Sequence, residues 1–542
     1  MKRFILVCFT FLFIQSGSHA DFYPKDPNID VLGYIFKVNL SDDIDEIVCH
    51  AVIEVTFLKD GKDKFFLDLV GKDSSEDGKG MIIAGISQGG RDLSFNHKNN
   101  RVEVILEEPA KLDETLIFNI DYRGVPADGL IIGKNRHDER TFFGDAWPNR
   151  ARHWLICVDH PSDKANCEFI VEAPAHYQVV ANGILAEETD LPENRRLTHW
   201  KSTAPIPTKV MVIGVAHFAV QTAGYCNGIP IETWVYSQDR EAGFNIFSPA
   251  VRITQFFHDL IGPFAYGKLA NVQSKTRYGG MENSSCIFYS ERSVTSENIE
   301  GLLAHEIAHQ WFGDAISEAD WHHVWISEGF ATYLTLVYME NIYEPKRLTE
   351  GMERSRTRVI SSYYKQPNSP LVDTAITEPM RLLSTNSYSK GSWILHMLRR
   401  YLGEDVFWTG IRKYYEKFMN KNVVSEDFQA VMEKVSEKDL SWYFKQWLYQ
   451  PGQPKYKGFW TFKKKTKELY IELDQVQESG LLFRMPVEFG IYSEGRTLPT
   501  IKTLDIDKKE NEFRLSLDVE PVEVVIDPNI NVLMEAEFSK KK

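Results

Sequence analysis

The spacing of apolar residues changes twice along the chain. Between about residues 21 and 222, short runs alternate apolar and polar positions. The run "RVEVILEE" puts Val102, Val104 and Leu106 on one face, and "TLIFNIDY" repeats the alternation. Turn-forming clusters such as "GKDSSEDGKG" and "SQGGRD" separate these runs. The pattern predicts an all-β region.

From about residue 224 to residue 450 the apolar spacing becomes helical. In "SWILHMLRRYLG" apolar residues recur at i, i+3, i+4 and i+7, namely Ile394, Met397, Leu398 and Tyr401. Gly403 is a stop signal, and "LSWYFKQWLYQPG" repeats the pattern before a Pro-Gly pair. Alternating runs then return, as in "ELYIELDQV", and fit a β-sandwich. We therefore predict three domains, at residues 21–223, 224–450 and 451–542.

The first twenty residues have the pattern of a secretion signal. Lys2 and Arg3 precede the apolar run "FILVCFTFLFI", and "QSGSHA" ends in small residues, which predicts cleavage after Ala20. The run is too short for a membrane span, which needs about 20 apolar residues. We therefore expect residues 1–20 to be a signal peptide, and the protein to be periplasmic or extracellular without stable membrane insertion.

Length, charge and cysteine content narrow the class of protein. A chain of 542 residues is too long for one core and suggests two to four domains. A formal net charge of −14 argues against nucleic acid or an anionic membrane as the main partner. Cys157 and Cys167 could form a disulfide or remain buried free thiols, because spacing does not fix connectivity. Nothing in the sequence indicates the oligomeric state.

The stretch "GLLAHEIAHQWFGD" has the spacing of a metal site. Ser296 is a suitable N-cap, and the apolar stripe that follows predicts a helix. On a helix His305 and His309 lie one turn apart on one face, and the adjacent Glu306 can reach water on a shared ion. A catalytic zinc usually takes three protein ligands and one water. The candidates for the third ligand are Glu328, His322 and His323.

These residues resemble the aminopeptidase N and leukotriene-A hydrolase family of gluzincin zinc metallopeptidases. In that family H-E-x-x-H is followed by Glu after eighteen residues, and this chain has the same spacing. The flanks "HQWFGD" and "WISEGFA" match too, although the family more often has Asn where Asp314 and Ser327 stand. The resemblance implies that Glu306 is the general base. It also implies one zinc ion per chain, held by His305, His309 and Glu328.

The resemblance extends to residues that would bind substrate. Two glycines in "RYGGMENSS" allow a close backbone approach, and the family's G-x-M-E-N stretch binds peptide backbone while its Glu grips the free α-amino group. This implies a substrate-binding role for Gly279, Gly280, Met281, Glu282 and Asn283. A glycan on the sequon that begins at Asn283 would obstruct the site, which favours an exported bacterial enzyme.

Two further residues follow from the resemblance. The stretch "NSYSKGSWILHML" matches the family's Tyr-x-Lys-Gly pattern, which implies that Tyr388 donates a hydrogen bond to the developing oxyanion. The stretch "FFGDAWPNRARHWLICVDHPSDKA" resembles the Arg-rich region of the family's N-terminal domain. There Asp145 is the candidate for a second anchor of the amino terminus.

The resemblance also implies a fold class and an activity. The fold would be α+β and multidomain, with a saddle-like all-β N-terminal domain, a thermolysin-like and mostly α catalytic domain, and a small C-terminal β-sandwich. We expect a compact member without the helical domain that large members add. The predicted function is a secreted zinc aminopeptidase that acts on peptides with a free N-terminus. The alternatives are a catalytically silent peptide-binding scaffold, an endopeptidase and an epoxide hydrolase.

Overall fold

The computed structural model describes residues 25–72, 78–296 and 299–541. The predicted secretion signal, residues 1–20, lies outside these ranges. Within them, no helix combines the length and the apolar character needed to cross a membrane. A β-rich region, a mostly helical region and a second β region follow one another, so the predicted mixed α+β fold class is confirmed.

The N-terminal region is built from strands. They are β1 (Ile29–Asn39), β2 (Ile47–Phe57), β3 (Lys62–Asp68), β4 (Gly80–Gln88), β5 (Arg91–Asp92), β6 (Phe95–Lys98), β7 (Arg101–Ala110), β8 (Thr115–Val125), β9 (Leu130–Lys134), β10 (Arg140–Gly144), β11 (Lys164–Pro174), β12 (Gln178–Ala181), β13 (Ile184–Leu191), β14 (Arg195–Lys201), β15 (Ile206–Pro207) and β16 (Ile213–Ala216). The largest sheet has the order β13-β14-β11-β1-β2-β8-β4-β5, with β15 paired to β11. Two smaller sheets have the orders β12-β16-β10-β9 and β3-β7-β6.

The alternation in the sequence matches the faces of these strands. Val102, Val104 and Leu106 of β7 are buried, and so are Phe118 and Ile120 of β8. Successive side chains of a strand point to opposite faces, so one apolar face per strand is enough to build the core between the sheets. The strand predictions for this region are therefore confirmed.

The described cysteines are buried free thiols, namely Cys49, Cys157, Cys167, Cys226 and Cys286. Of the two alternatives for Cys157 and Cys167, the structure has the free pair. Burial raises the pKa of both thiols well above the usual range, because the apolar surroundings disfavour the thiolate.

The middle region combines a small sheet with helices. Its strands are β17 (Phe218–Cys226), β18 (Ile229–Tyr236), β19 (Leu269–Ser274), β20 (Gly280–Met281), β21 (Cys286–Ser290), β22 (Ile316–Glu318) and β23 (Lys421–Val423), and its helices are α1 (Arg240–Ile246), α2 (Ala250–Ile261), α3 (Glu300–His309), α4 (Trp325–Ile342), α5 (Lys346–Lys365), α6 (Pro379–Leu382), α7 (Gly391–Leu402), α8 (Glu404–Phe418), α9 (Ser425–Ser436) and α10 (Ser441–Tyr449). The sheet order is β17-β18-β19-β21-β20, so β20 lies at an edge. The domain boundary that we expected after residue 223 falls inside β17.

The helices predicted from "SWILHMLRRYLG" and "LSWYFKQWLYQPG" are present as α7 and α10. Helix α7 buries Ile394, Met397 and Leu398, and it ends at Leu402. Gly403 follows with φ 87°, a left-handed conformation that glycine adopts without a Cβ penalty.

The C-terminal region is a pair of packed sheets. Its strands are β24 (Lys455–Lys463), β25 (Glu468–Gln475), β26 (Met485–Ser493), β27 (Thr500–Ile506), β28 (Glu510–Ser516), β29 (Pro521–Ile526) and β30 (Glu535–Lys540). The sheets have the orders β28-β25-β24-β30 and β27-β26-β29. Arg356 of α5 forms an ion pair with the buried Asp527 and so joins this region to the helices.

Candidate active site

Two helices bring the three predicted metal ligands together. Helix α3 carries His305 and His309 one turn apart, and Glu328 lies in the first turn of α4. Nε2 of His305 lies 3.2 Å from Nε2 of His309, and Oε2 of Glu328 lies 3.5 Å and 3.4 Å from these two nitrogens. The three atoms form a nearly equilateral triangle, with Glu328 as the third corner.

The triangle has the size that a tetrahedral zinc ion requires. Ligands about 2.0–2.1 Å from zinc in tetrahedral geometry lie roughly 3.3–3.4 Å from one another. Oε2 of Glu328 is buried and has no hydrogen-bond donor among the described residues. Nδ1 of His309 lies 3.1 Å from the carbonyl oxygen of Phe312, an acceptor that leaves Nε2 free for a metal. The donor set and its spacing therefore fit a metal with one open position.

The start of α3 differs from the sequence prediction. The helix begins at Glu300, and the residue in the N-cap position is Ile299, which makes no side-chain cap bond. The prediction of Ser296 as the N-cap is therefore wrong. Burial of Leu303 and Ile307 accounts for the position of the helix better than capping does, since packing of an apolar face supplies most helical stability.

The other candidates for the third ligand have different partners. Nδ1 of His322 lies 2.6 Å from Oδ1 of Asp320, and its Nε2 lies 2.8 Å from the carbonyl oxygen of Ile376. Nδ1 of His323 lies 2.8 Å from Oγ of Ser425. Neither histidine belongs to the cluster of possible metal ligands formed by His305, His309 and Glu328.

Glu306 lies beside the ligands in the same cavity. Its side chain is buried, and burial together with the Glu282 and Glu328 carboxylates raises its pKa well above the usual range, although His309 opposes this rise. Strand β20 passes directly over it: a Cβ at Gly280 would lie 2.3 Å from Oε1 of Glu306. Glycine at this position therefore lets the β20 backbone approach the carboxylate.

The loop that follows β20 is tied to the end of α3 by a glutamine. Nε2 of Gln310 donates to the carbonyl oxygen of Glu282 at 2.9 Å and to Oδ2 of Asp314 at 2.8 Å, and its Oε1 accepts from the backbone N–H of Ser285. Asp314 thus orients the amide instead of binding metal. No sequence pattern marks Gln310 as a residue that holds this loop, although it directly follows the second histidine of the motif.

Glu282 itself is 5% exposed and lines the cavity. Burial and the nearby Glu328 raise the pKa of its carboxyl, while His309 and Lys209 oppose the rise. Lys209 is paired with the buried Glu318. This ion pair could not be predicted from the sequence, since 109 positions separate its members and no local pattern marks either one.

Tyr388 lines the cavity next to the metal ligand His305. It belongs to a π-helical turn, Asn386–Lys390, just before α7, and its ring stacks on that of His305 with centroids 6.0 Å apart. Burial and the Glu328 and Glu282 carboxylates raise the pKa of its hydroxyl, so the group stays protonated and can donate.

Asp145 is buried outside the set of side chains that line the cavity, and it has two arginine partners. Its carboxylate lies 2.6 Å from Nη2 of Arg150 and 3.5 Å from Nε of Arg277. Burial raises the pKa of this carboxyl, although both arginines oppose the rise. Trp147, two residues along the chain, lines the cavity instead, and its ring packs edge-on against Trp321.

One small cavity of about 70 Å³ collects most of the predicted site residues. It is lined by Trp147, Tyr278, Gly280, Met281, Glu282, His305, Glu306, His309, Glu328, Leu383 and Tyr388. Gly279, Asn283 and Asp145 are not among the lining residues. Asn283 is fully buried, which leaves no room for a glycan on its sequon.

Two protein-family models match this chain, one in the helical middle region and one in the N-terminal β region. A family model described as "Peptidase family M1 domain" matches residues 248–447, and "Peptidase M1 N-terminal domain" matches residues 81–210. Aminopeptidase N of Lactococcus lactis subsp. lactis is 28% identical over 56% of this chain and 38% of its own length. Leucyl aminopeptidase of Saccharolobus solfataricus is 23% identical over 83% of this chain and 58% of its own length.

A third relative, probable aminopeptidase 2 of Sulfurisphaera tokodaii, is 23% identical over 70% of this chain and 50% of its own length. The chain thus spans about half the length of the curated relatives it matches. The catalytic-domain match contains the whole cluster of His305, His309 and Glu328. The two family matches, the aminopeptidase relatives and this cluster together show that the chain belongs to peptidase family M1.

Proposed function

We propose that the chain is an exported zinc aminopeptidase that removes N-terminal residues from peptides. The observation that carries this proposal is the distance between Glu282 and the metal ligands. Side-chain atoms of Glu282, Glu306 and His309 lie within 4.8 Å of one another. A carboxylate so close to the reaction centre leaves room for a terminal amine but not for further residues. The aminopeptidase relatives support the same activity, and the apolar run after Lys2 and Arg3 supports export.

Glu282 has the environment of an ammonium-binding group. In the described part of the chain no basic side chain forms an ion pair with it, and the nearby Lys209 is already paired with Glu318. A buried carboxylate without a cationic partner is costly, and a bound ammonium would supply that partner. The site is therefore complementary to a free α-amino group.

The ligand set supports zinc as the metal. Two imidazole nitrogens and one carboxylate oxygen, with a fourth position open, are typical of catalytic zinc sites. Bound zinc would polarise the scissile carbonyl group and lower the pKa of a water molecule at the open position to roughly 7.

The side chains around the cavity bind the substrate, transfer a proton and stabilise negative charge. Glu282 binds the ammonium and fixes the first peptide bond near the metal ligands, while the β20 backbone lies alongside the substrate. Glu306 accepts a proton from water and passes it to the leaving amine. The hydroxyl of Tyr388 donates a hydrogen bond to the carbonyl oxygen as negative charge develops there.

Replacing Glu282 with alanine tests the aminopeptidase assignment. We expect kcat/KM for peptides with a free α-amine to fall by an amount equivalent to ~2–5 kcal/mol, as truncation of one partner of a buried charge pair does. The N-acetylated form of each peptide should lose much less. The measurement compares kcat/KM for the two forms in both proteins.

The exposed Glu353 of α5 provides a matched control, since Glu353→Ala removes a carboxylate without touching the cavity. An equal loss on free and acetylated peptides in Glu282→Ala would show that Glu282 only shapes the loop. Efficient cleavage of internal bonds in acetylated peptides by the unaltered protein would favour an endopeptidase.

Replacing Tyr388 with phenylalanine should reduce kcat by about 10²–10³-fold, because one oxyanion donor is lost. KM and metal content should change little, since the ring and its stacking on His305 remain. Steady-state kinetics and metal analysis check both expectations. Unchanged kcat would mean that the tyrosine is a structural neighbour of the ligand only.

A further inference from the structure

A larger groove opens beside the metal site. It has a volume of about 750 Å³ and shares two wall residues, His305 and Tyr388, with the small cavity. Glu282 lines the small cavity but not the groove. A peptide with its amino terminus at Glu282 and its first peptide bond at the metal would therefore continue past His305 and Tyr388 into the groove. This direction rests on the proposed function.

Helix α5 forms one wall of the groove. Gly351, Arg354, Ser355 and Arg358 line it, at i, i+3, i+4 and i+7 on one helical face. The helix packs closely on α4, since a Cβ at Gly351 would lie 2.4 Å from Cδ2 of Leu336. Arg356 lies off this face and holds α5 to the C-terminal region through Asp527. The helix backbone that carries the two groove arginines is therefore held by packing on both sides of α5.

The groove has a positive wall and no acidic one. Arg354 and Arg358 are exposed, and neither has an ion-pair partner among the described residues. The described lining contains no Asp or Glu, and its other polar groups are mostly hydroxyls such as those of Thr332 and Ser384. The chain as a whole carries a formal charge of −14. The groove therefore has a local charge opposite in sign to that of the whole protein, because it contains two unpaired arginines.

We propose that Arg354 and Arg358 bind a carboxylate of the substrate on the leaving-group side of the scissile bond. Arginine pairs recognise carboxylates through charge-assisted and often bidentate hydrogen bonds. The substrates that this groove favours are therefore short peptides whose own C-terminal carboxylate reaches α5, or peptides with an acidic side chain in that position. The two arginines would bind a C-terminal carboxylate and an acidic side chain through the same kind of hydrogen bonds.

The test compares peptides that end in a free acid with the same peptides ending in an amide. Tripeptides to pentapeptides are assayed with the unaltered protein and with the double variant Arg354→Gln/Arg358→Gln. We expect the acids to have kcat/KM roughly 10-fold above the amides, mainly through KM, and the double variant to lose this difference. High ionic strength should shrink the difference too, because the arginines are exposed.

Two controls separate this inference from the proposed function. An aminoacyl coumarylamide has no carboxylate beyond the scissile bond, so its hydrolysis should be equal in both proteins. Failure of the unaltered protein to hydrolyse it would count against the aminopeptidase assignment itself. Arg123→Gln, on an exposed position of β8, removes an arginine that does not line the groove and should keep the preference for acids.

A second series identifies the source of the carboxylate. Amide-capped peptides with Asp or Glu replacing Asn or Gln after the scissile bond report on acidic side chains. A gain of similar size there, lost in the double variant, would assign the groove to side chains. Equal rates for acids and amides, and for acidic and neutral side chains, in the unaltered protein would overturn the proposal.

Discussion

Replacing Glu306 with glutamine should leave the metal in place and remove nearly all turnover. Glutamine has the same shape but cannot accept a proton, and positioned general bases typically contribute 10²–10⁴-fold to the rate. We therefore expect kcat to fall by about 10²–10⁴-fold while KM changes little. Glu306 is buried closely under β20, and glutamine fits this space because it has nearly the same volume as glutamate.

Measuring the metal content of Glu306→Gln also tests which residues bind the metal. The structure contains a second cluster of possible ligands, formed by Glu282, Glu306 and His309, whose atoms also lie within 4.8 Å of one another. If that cluster held the ion, Glu306→Gln would lose metal together with activity. Full metal content with low kcat would support a proton-transfer role. Retention of most of kcat would show that another group is the base.

The sequence predicts the parts of the site that depend on local spacing. His305 and His309 share a helix face because they are four positions apart, and α3 forms as the apolar residues around them require. Strand faces follow equally well from alternation, as Val102 and Val104 of β7 illustrate. In both cases a short stretch of chain contains all the information.

Residues whose role depends on distant partners could not be predicted in this way. The family resemblance points to Asp145, but it gives no sign that Arg277, 132 positions further along the chain, lies 3.5 Å from the Asp145 carboxylate in addition to the nearby Arg150. The buried pair of Lys209 and Glu318 joins the N-terminal region to strand β22 of the middle region, and neither residue lies in a recognisable pattern. Such pairs are set by tertiary packing, which leaves no periodic trace in the sequence.

The π-helical turn at Tyr388 is a related case. The residues that follow it have an ordinary α-helical spacing. In the turn itself each hydrogen bond spans five residues instead of the four of an α-helix, and such turns often occur at functional sites. The motif could point to the tyrosine, but only the folded chain gives the stacking of its ring on His305.

Replacing Glu328 with glutamine should reduce metal content and activity together. The amide keeps the side-chain volume but loses the negative charge, and it is a weaker ligand for zinc than a carboxylate. Mutations of groups that merely support a ligand cost about 10–100-fold in metal affinity, so loss of a ligand should cost at least about 100-fold.

The measurement is zinc stoichiometry after dialysis against a weak chelator, followed by activity with and without added zinc. Excess zinc should restore part of the activity in Glu328→Gln, because His305 and His309 remain. His322→Gln is the matched control: His322 contacts Asp320 and the Ile376 carbonyl group, so its replacement should leave zinc binding unchanged. Normal zinc content in Glu328→Gln together with zinc loss in His322→Gln would contradict the ligand assignment, because the triangle of His305, His309 and Glu328 could not then be the binding site.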